Sequence, residues 1–294
     1  MDFRQIYRKA PVLPVMNITN PYFSAIHMAK PVTPRKLATK AIRKLNKLRN
    51  CLKPVASDND VHQFRVQFKK TRAFFRMANA VEESNKHRIK KSWRKIYGVT
   101  GELRDQVISI TVAKEQFGDS KLIHYLLQKL DSTEERLQQE LKNGTPFTLC
   151  SKKWKMFTAA ALNAYFEQLL QPIRGIGRSQ IGDHSLHETR KNLKDLLYNI
   201  GWLDAMHINY PPAVSGICIR EVEQLLELLG DYQNGVVLSE ELRRLKEVPE
   251  LHDTAKSITI YLDHLAQDQD HLYKAILVQL EHAFHLHAPR TLDE

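Results

Sequence analysis

Glycine is scarce in this 294-residue chain, with 11 in all, and no stretch alternates apolar and polar residues for any length, so a turn-rich β fold is excluded. Cysteine is scarcer still. Cys51, Cys150 and Cys218 are odd in number, far apart and without ligand spacing, which argues against a disulfide framework or a zinc site and fits a reducing cytoplasm. No apolar run approaches the roughly 20 residues that span a bilayer, and the N-terminus lacks an uninterrupted apolar signal core, so no membrane partner is expected. Acids are missing from one region above all: residues 34–53 contain none, and residues 35–95 hold 19 Lys/Arg against 4 Asp/Glu. That segment has a local balance of +15 within a net charge of +11, leaving residues 96–294 at −7. Charge so concentrated produces a directional field that attracts an anionic polymer.

What is abundant is Leu, Lys, Glu, Gln and Ala at helical period, the composition of an all-α protein. Pro34 at a first-turn position opens a helix over 34–52, and Ser57 or Asp58 caps one that runs to about 80. Further helices are predicted over 86–116, 119–142, 154–170, 183–203, 215–246 and 249–285. Eight helices joined by short loops suggest two tandem four-helix bundles, 34–147 and 148–287. Prolines 11, 14, 21 and 31 without any period mark residues 1–33 as a poorly ordered leader, within which Met28 offers an alternative start, and 288–294 as a tail.

Two segments 125 residues apart carry the same charged row, His62-x-x-Arg65-x-x-x-Lys69-x-x-Arg72 and His187-x-x-Arg190-x-x-x-Lys194. At about 100° per residue, His62, Arg65, Lys69, Arg72 and Arg76 fall within an arc of about 80° on one helix face. Val61, Phe64, Phe68 and Phe75 flank the row on one side, Val66, Ala73 and Met77 on the other; Gln63, Gln67, Lys70 and Thr71 are left as the solvated face. A basic row between two packing surfaces should line an internal groove for a polyanion. In the second copy Leu186, Leu193 and Ile200 form one flank, Tyr198 and Trp202 the other. Gly101-Glu-Leu-Arg104-Asp105-Gln-Val107 matches Gly230-Asp-Tyr-Gln233-Asn234-Gly-Val236 at an offset of 129, so the duplication extends to the helices that follow.

An ordinary charge run is a solvated face, but apolar flanks on both sides favour a functional row here. Arginine meets phosphate oxygens with its planar fork and lysine with a mobile point charge. His62 and His187 could be hydrogen-bonded structural residues; their place in a repeated row favours phosphate contact, which stabilises the charged imidazole, so that affinity should rise as pH falls from about 8 to 6. Of the cations on the first and third helices about half should face solvent, and Lys44, Lys47 and Arg94 are the candidates. Arg104 and Asp105 are read as a helix-to-helix ion pair that positions the row. His282, His285 and His287 read as a frayed helix end rather than a metal site, and Trp154, Trp202 and Tyr198 as core. There is no Gly-rich phosphate loop, no His-Glu-x-x-His and no carboxylate cluster for a metal, so neither enzyme activity nor a cofactor is expected.

The run Val61-His-Gln-Phe-Arg-Val-Gln-Phe-Lys-Lys-Thr-Arg72, with Leu103-Arg-Asp105 downstream and Leu186-His-Glu-Thr-Arg-Lys-Asn-Leu-Lys194 and Leu228-Leu-Gly230 later, resembles the CHAD family, the conserved histidine α-helical domain. The resemblance covers residues 34–287. It implies two four-helix bundles related by pseudo-twofold symmetry around a basic pore that binds inorganic polyphosphate, with motif positions at His62, Arg65, Lys69, Lys70 and Arg72 and at His187, Arg190 and Lys194. Asp195 and Leu197 stand where the family usually has basic residues, and Asn234 where an acid similar to Asp105 is common, so the first half should dominate binding. The expected protein is a non-enzymatic, cytoplasmic polyphosphate binder, associated with polyphosphate or other storage granules in one variant of this reading. The alternative is a nucleic-acid binder using the same basic face, disfavoured because no aromatic or base-reading side chains interleave with the cations.

Overall fold

A computed structural model describes residues 32–53, 57–82, 87–118, 120–149, 154–176 and 182–284; the leader expected over 1–33, apart from its last two residues, and the tail expected over 288–294 lie outside the described residues. The described residues form eight α-helices and no strand: α1 (Pro34–Cys51), α2 (Asp58–Val81), α3 (Lys91–Val112), α4 (Ser120–Asn143), α5 (Ala159–Arg174), α6 (Asp183–Met206), α7 (Ile219–Lys246) and α8 (Ala255–Phe284).

Local signals account for most boundaries. Thr33 caps α1 by accepting from Lys36 N–H, with Pro34 behind it in the first turn. Ser57 and Asp60 close a reciprocal capping box on α2. Where boundaries differ from expectation, a tertiary contact decides. The segment before α3 stays extended because Asn79 clamps it, accepting from His87 N–H and donating to His87 O at 2.8 Å. Trp154 lies ahead of α5 rather than in it, stacked on His87 with ring centroids 3.8 Å apart. The helix starts only after Thr158, whose side chain accepts from Ala161 N–H. Pro172 does not end α5; it sits in the last turn, two residues before Arg174. Gly216, at φ 84°, turns the chain before α7.

Helix α2 is the hub, in contact with α1, α3, α5 and α6. Its expected solvated face is a correction: Gln67 and Thr71 are buried beneath α1. Small residues on α1, Ala38 and Ala41, allow this approach, and the polar atoms are satisfied locally. Gln67 Nε2 donates to Ala41 O and to Thr71 Oγ1, and Thr71 Oγ1 donates to Gln67 O at 2.8 Å. One apolar cluster draws on all eight helices, from Phe64, Phe68 and Trp93 to Phe166, Leu193 and Leu229. A second joins the far ends of α3 and α4 to those of α7 and α8 through Ile110, Leu122, Leu242 and Ile258. Both clusters cross the 147/148 boundary, so the two sets of four helices share their core.

Candidate functional site

With α2 covered on its other sides, its cationic row is turned toward α6, which packs against it. Asp58 and Asp60 are confined to the first turn of α2, where the helix dipole favours them, and leave the row from His62 onward free of acid.

Lys69 of α2 and Lys194 of α6 lie at the centre. Burial and the surrounding cations depress both: Lys69 to about 6, through desolvation and then Lys194, Arg65, Arg190 and Arg104, and Lys194 to about 7, through desolvation and then Arg190, Arg104 and Arg65. The leading charges acting on either ammonium are all positive. His62 is half-buried and depressed by burial, then by Arg104, Lys69, Lys194 and Arg65. The cluster therefore unites His62, Arg65, Lys69, Arg190 and Lys194, with Arg72 beside Arg65.

The arginines are held by contacts that composition does not reveal. Arg65 Nη1 donates to Tyr97 O at 2.8 Å, its guanidinium lies 4.6 Å from the Tyr97 ring centroid, and Arg72 lies 5.6 Å from the same ring. Phe68 stacks against Tyr97 at 4.3 Å. Gly101 makes room for Arg65: a Cβ there would lie 2.7 Å from Nη1. Gly230 faces Arg190 in the second half, where a Cβ would meet Nη2 at 3.8 Å. Arg65, Arg72 and Arg190 each keep a buried Nε with no hydrogen-bond partner. Tyr198, expected in the core, instead faces Arg190 and Arg72, and burial pushes its phenol up to about 12. Glycines at matched places in two helices were the sequence signal for the Arg pockets; nothing in the sequence singled out Tyr97.

The histidines differ. His187 Nδ1 donates to Gln233 Oε1 at 2.8 Å, whereas His62 has Arg104 beside it; Arg104 and Gln233 are the residues the 129-residue offset pairs. Arg104 is thus corrected from a positioning residue to a member of the cluster, since its charge acts on His62, Arg65, Lys69, Arg190 and Lys194. The ion pair expected of Asp105 is not formed among the described residues. Its carboxyl, raised above the ordinary value by burial, feels Arg65, Arg104 and Lys69 only through space.

Toward the end of the row, Arg76 donates to Asp195 of α6. The acid that stood out as a lost cation is a buried inter-helix partner, and Leu197 packs on the core. Lys70 is turned aside, 5.8 Å from the Tyr198 ring and within the field of Lys44. Trp202 Nε1 donates to Lys70 O and its ring packs on Phe74, a core role. Lys44, Lys47 and Arg94 are exposed, and of these Lys44 alone is tied to the row, through Lys70. Among the described residues no group of three or more His, Cys, Asp or Glu could hold a metal ion. His282 ends α8, while His285 and His287 lie outside the described residues. No helix among the described residues is long and apolar enough to cross a membrane.

Set against known proteins, residues 36–243 match the family model described as CHAD domain. The fold is similar to the crystal structure of the CHAD domain from the plant Ricinus communis, with a TM-score of 0.61 at 14% identity over 87% of this chain and 94% of that one. No curated protein matches the sequence.

Proposed function

The chain belongs to the CHAD domain family, and we propose that it binds inorganic polyphosphate, without catalysis, in the cationic cluster between α2 and α6. The observation that carries this reading is the Lys69–Lys194 pair, buried among Arg65, Arg104 and Arg190, with cations dominating the charges that act on it. Each unit of pKa depression is about 1.4 kcal/mol held against the protonated lysine, and a polyanion lying between the two helices relieves it. Arg65 and Arg72 are pre-set by Tyr97 and Gly101 to meet phosphate oxygens. Linear polyphosphate offers closely spaced charge and no bases. A nucleic acid would need open aromatic faces on which to stack; Tyr97 is already occupied by Phe68 and two guanidinium groups. In this reading the protein is a cytoplasmic polyphosphate binder, granule-associated in one variant of it, and the proposed pseudo-twofold relation between the halves sets its two histidine helices face to face.

Competition at one physiological salt concentration tests the reading. Long-chain polyphosphate should displace a labelled polyphosphate probe at far lower concentration than single- or double-stranded DNA, and incubation with Mg²⁺ or Mn²⁺ should release no phosphate. Preferential displacement by DNA would sink the polyphosphate assignment, and metal-dependent turnover abolished by a point substitution in the cluster would sink the non-catalytic one.

A further inference from the structure

Resting on the reading of the cluster as an anion site, we propose that Lys69 is a modification site: small acyl phosphates, held by the guanidinium groups around it, acylate its amine and so lower the affinity for polyphosphate. Lys69 and Lys194 lie on packed helices, and each has an arginine one turn before it on the same face, Arg65 and Arg190. Residues four apart on a helix are neighbours, with about 5–6 Å between Cβ atoms. Both lysines keep part of their surface open.

Neither amine has a hydrogen bond or an ion pair among the described residues. The nearby acids are engaged elsewhere or act at a distance. Asp195 is paired with Arg76 and Glu241 with Lys129, Asp231 of α7 acts on Arg190, and Asp105 of α3 acts on Arg65, Arg104 and Lys69 through space. Against them stand His62, Arg65 and Arg72 on α2, Arg104 on α3 and Arg190 on α6. Desolvation and then these cations bring Lys69 to about 6 and Lys194 to about 7. At pH 7.5 most of each amine is therefore unprotonated, whereas a lysine at the ordinary value of about 10.4 is neutral in roughly one molecule in a thousand. Desolvation beside another cation is one way in which a lysine becomes a nucleophile.

The same surroundings select the reagent. Arg65 donates one hydrogen bond, to Tyr97 O, and Arg190 donates none among the described residues, so both keep donors for phosphate oxygens. An acyl phosphate joins its carbonyl carbon to phosphate through a single bridging oxygen, which brings the carbonyl to the amines when the phosphate sits on the arginines. About two negative charges enter with it; they draw a proton first onto Lys194, the more basic amine, and leave Lys69 neutral. The Lys69 nitrogen forms a bond to the carbonyl carbon, the bond from that carbon to the bridging oxygen breaks, and the proton from nitrogen passes to the departing phosphate. The products are an amide on Lys69 and inorganic phosphate, with nothing oxidised or reduced. The amide is uncharged, so the row is one cation short and an acyl group stands in the groove. A long polyphosphate protonates both lysines and occupies the arginines, so bound chain and acyl donor exclude one another.

The test incubates the full chain at pH 7.5 with acetyl phosphate and, in parallel, with p-nitrophenyl acetate, which transfers the same group without a phosphate. Peptide mass spectrometry reads the acetylation rate of each lysine. The neutral amine alone should give Lys69 about a tenfold preference over exposed lysines such as Lys36 and Lys40: its unprotonated fraction is several hundredfold larger, offset by nucleophilicity that falls by about 0.4–0.5 log unit per pKa unit, as for thiols. p-Nitrophenyl acetate should show that preference, and acetyl phosphate, concentrated by the arginines, should exceed it several-fold. Long-chain polyphosphate should protect Lys69. The acetylated protein should bind the chain about tenfold more weakly, the contribution of one charged hydrogen bond. In a Lys69→Arg variant the label should vanish and affinity should no longer respond to acetyl phosphate. Acetylation of Lys69 no faster than of Lys36, label on Lys194 in its place, or a preference no greater with acetyl phosphate than with p-nitrophenyl acetate would overturn the proposal, and polyphosphate binding by the untreated protein would leave the central site standing. Failure of the untreated protein to bind polyphosphate would remove that reading and this regulation with it.

Discussion

Replacing Lys69 and Lys194 together by Arg should abolish most of the pH dependence of polyphosphate binding without abolishing binding. In the free protein the two ammonium groups are depressed to about 6 and about 7 by burial and by neighbouring cations. Contact with phosphate returns them toward the ordinary lysine value of about 10.4. A group whose pKa is higher in the complex than in the free protein takes up a proton on binding, so affinity is full below the free-state pKa and falls as pH rises above it. With these values, affinity for long chains should weaken between pH 6 and pH 8 by about 2.7 log units, equivalent to about 3.7 kcal/mol, most of it above pH 7 where both lysines are deprotonated. Arginine stays protonated throughout this range. Titration calorimetry at pH 7.5 in two buffers of different ionisation enthalpy counts the protons directly: the unaltered protein should take up close to two, about 1.7 from the same arithmetic, and the double Arg variant close to none. Buffer-independent heats for the unaltered protein, or a pH dependence that survives in the variant, would refute the reasoning. The lysines thus take over the role expected of the histidines. Because the two lysines together carry the shift, His62→Gln should leave most of the dependence in place.

The same depression destabilises the free fold at low pH, because unfolded lysines bind protons that the folded ones reject; the melting temperature without ligand should rise from pH 6 to pH 9, and polyphosphate should raise it most at the acid end. Asp195→Asn removes the partner of Arg76 and should cost about 1–2 kcal/mol in denaturant unfolding, below the range for a fully buried pair because Arg76 is partly exposed, while polyphosphate affinity rises; a fall in affinity would mean that the ion pair shapes the site. Gly101→Ala and Gly230→Ala should separate in binding assays, since a Cβ at Gly101 intrudes to 2.7 Å from Arg65 and one at Gly230 reaches only ordinary contact with Arg190. The first should lose several-fold in affinity and the second little, with each helix gaining up to about 1 kcal/mol in propensity. Equal behaviour would show that the pocket around Arg65 is not tight.

Helical period, capping residues and proline placement are local, and they determine the all-α class and most helix ends: Pro34 and Ser57 act through their own backbone neighbours. The repeated His-Arg-Lys spacing likewise located the basic row, because residues three and four apart on a helix share a face whatever surrounds it. Which of those faces met water was not local. Gln67 and Thr71 pattern as solvated, yet α1 covers them, because two alanines let the helices approach and the side chains satisfy one another. Trp154 has the hydrophobicity of a helix residue but leaves the helix to stack on His87, a partner 67 residues away. The electrostatics of the site are tertiary altogether. Lys69 and Lys194 are unremarkable lysines until α6 crosses α2 and desolvates them against one another, and Asp195 looked like a lost cation until Arg76 was placed beside it. A charge's sign and its place along a helix are written in the chain; its solvation and its counter-charge depend on which distant segments fold against it, and these set the pKa and the affinity.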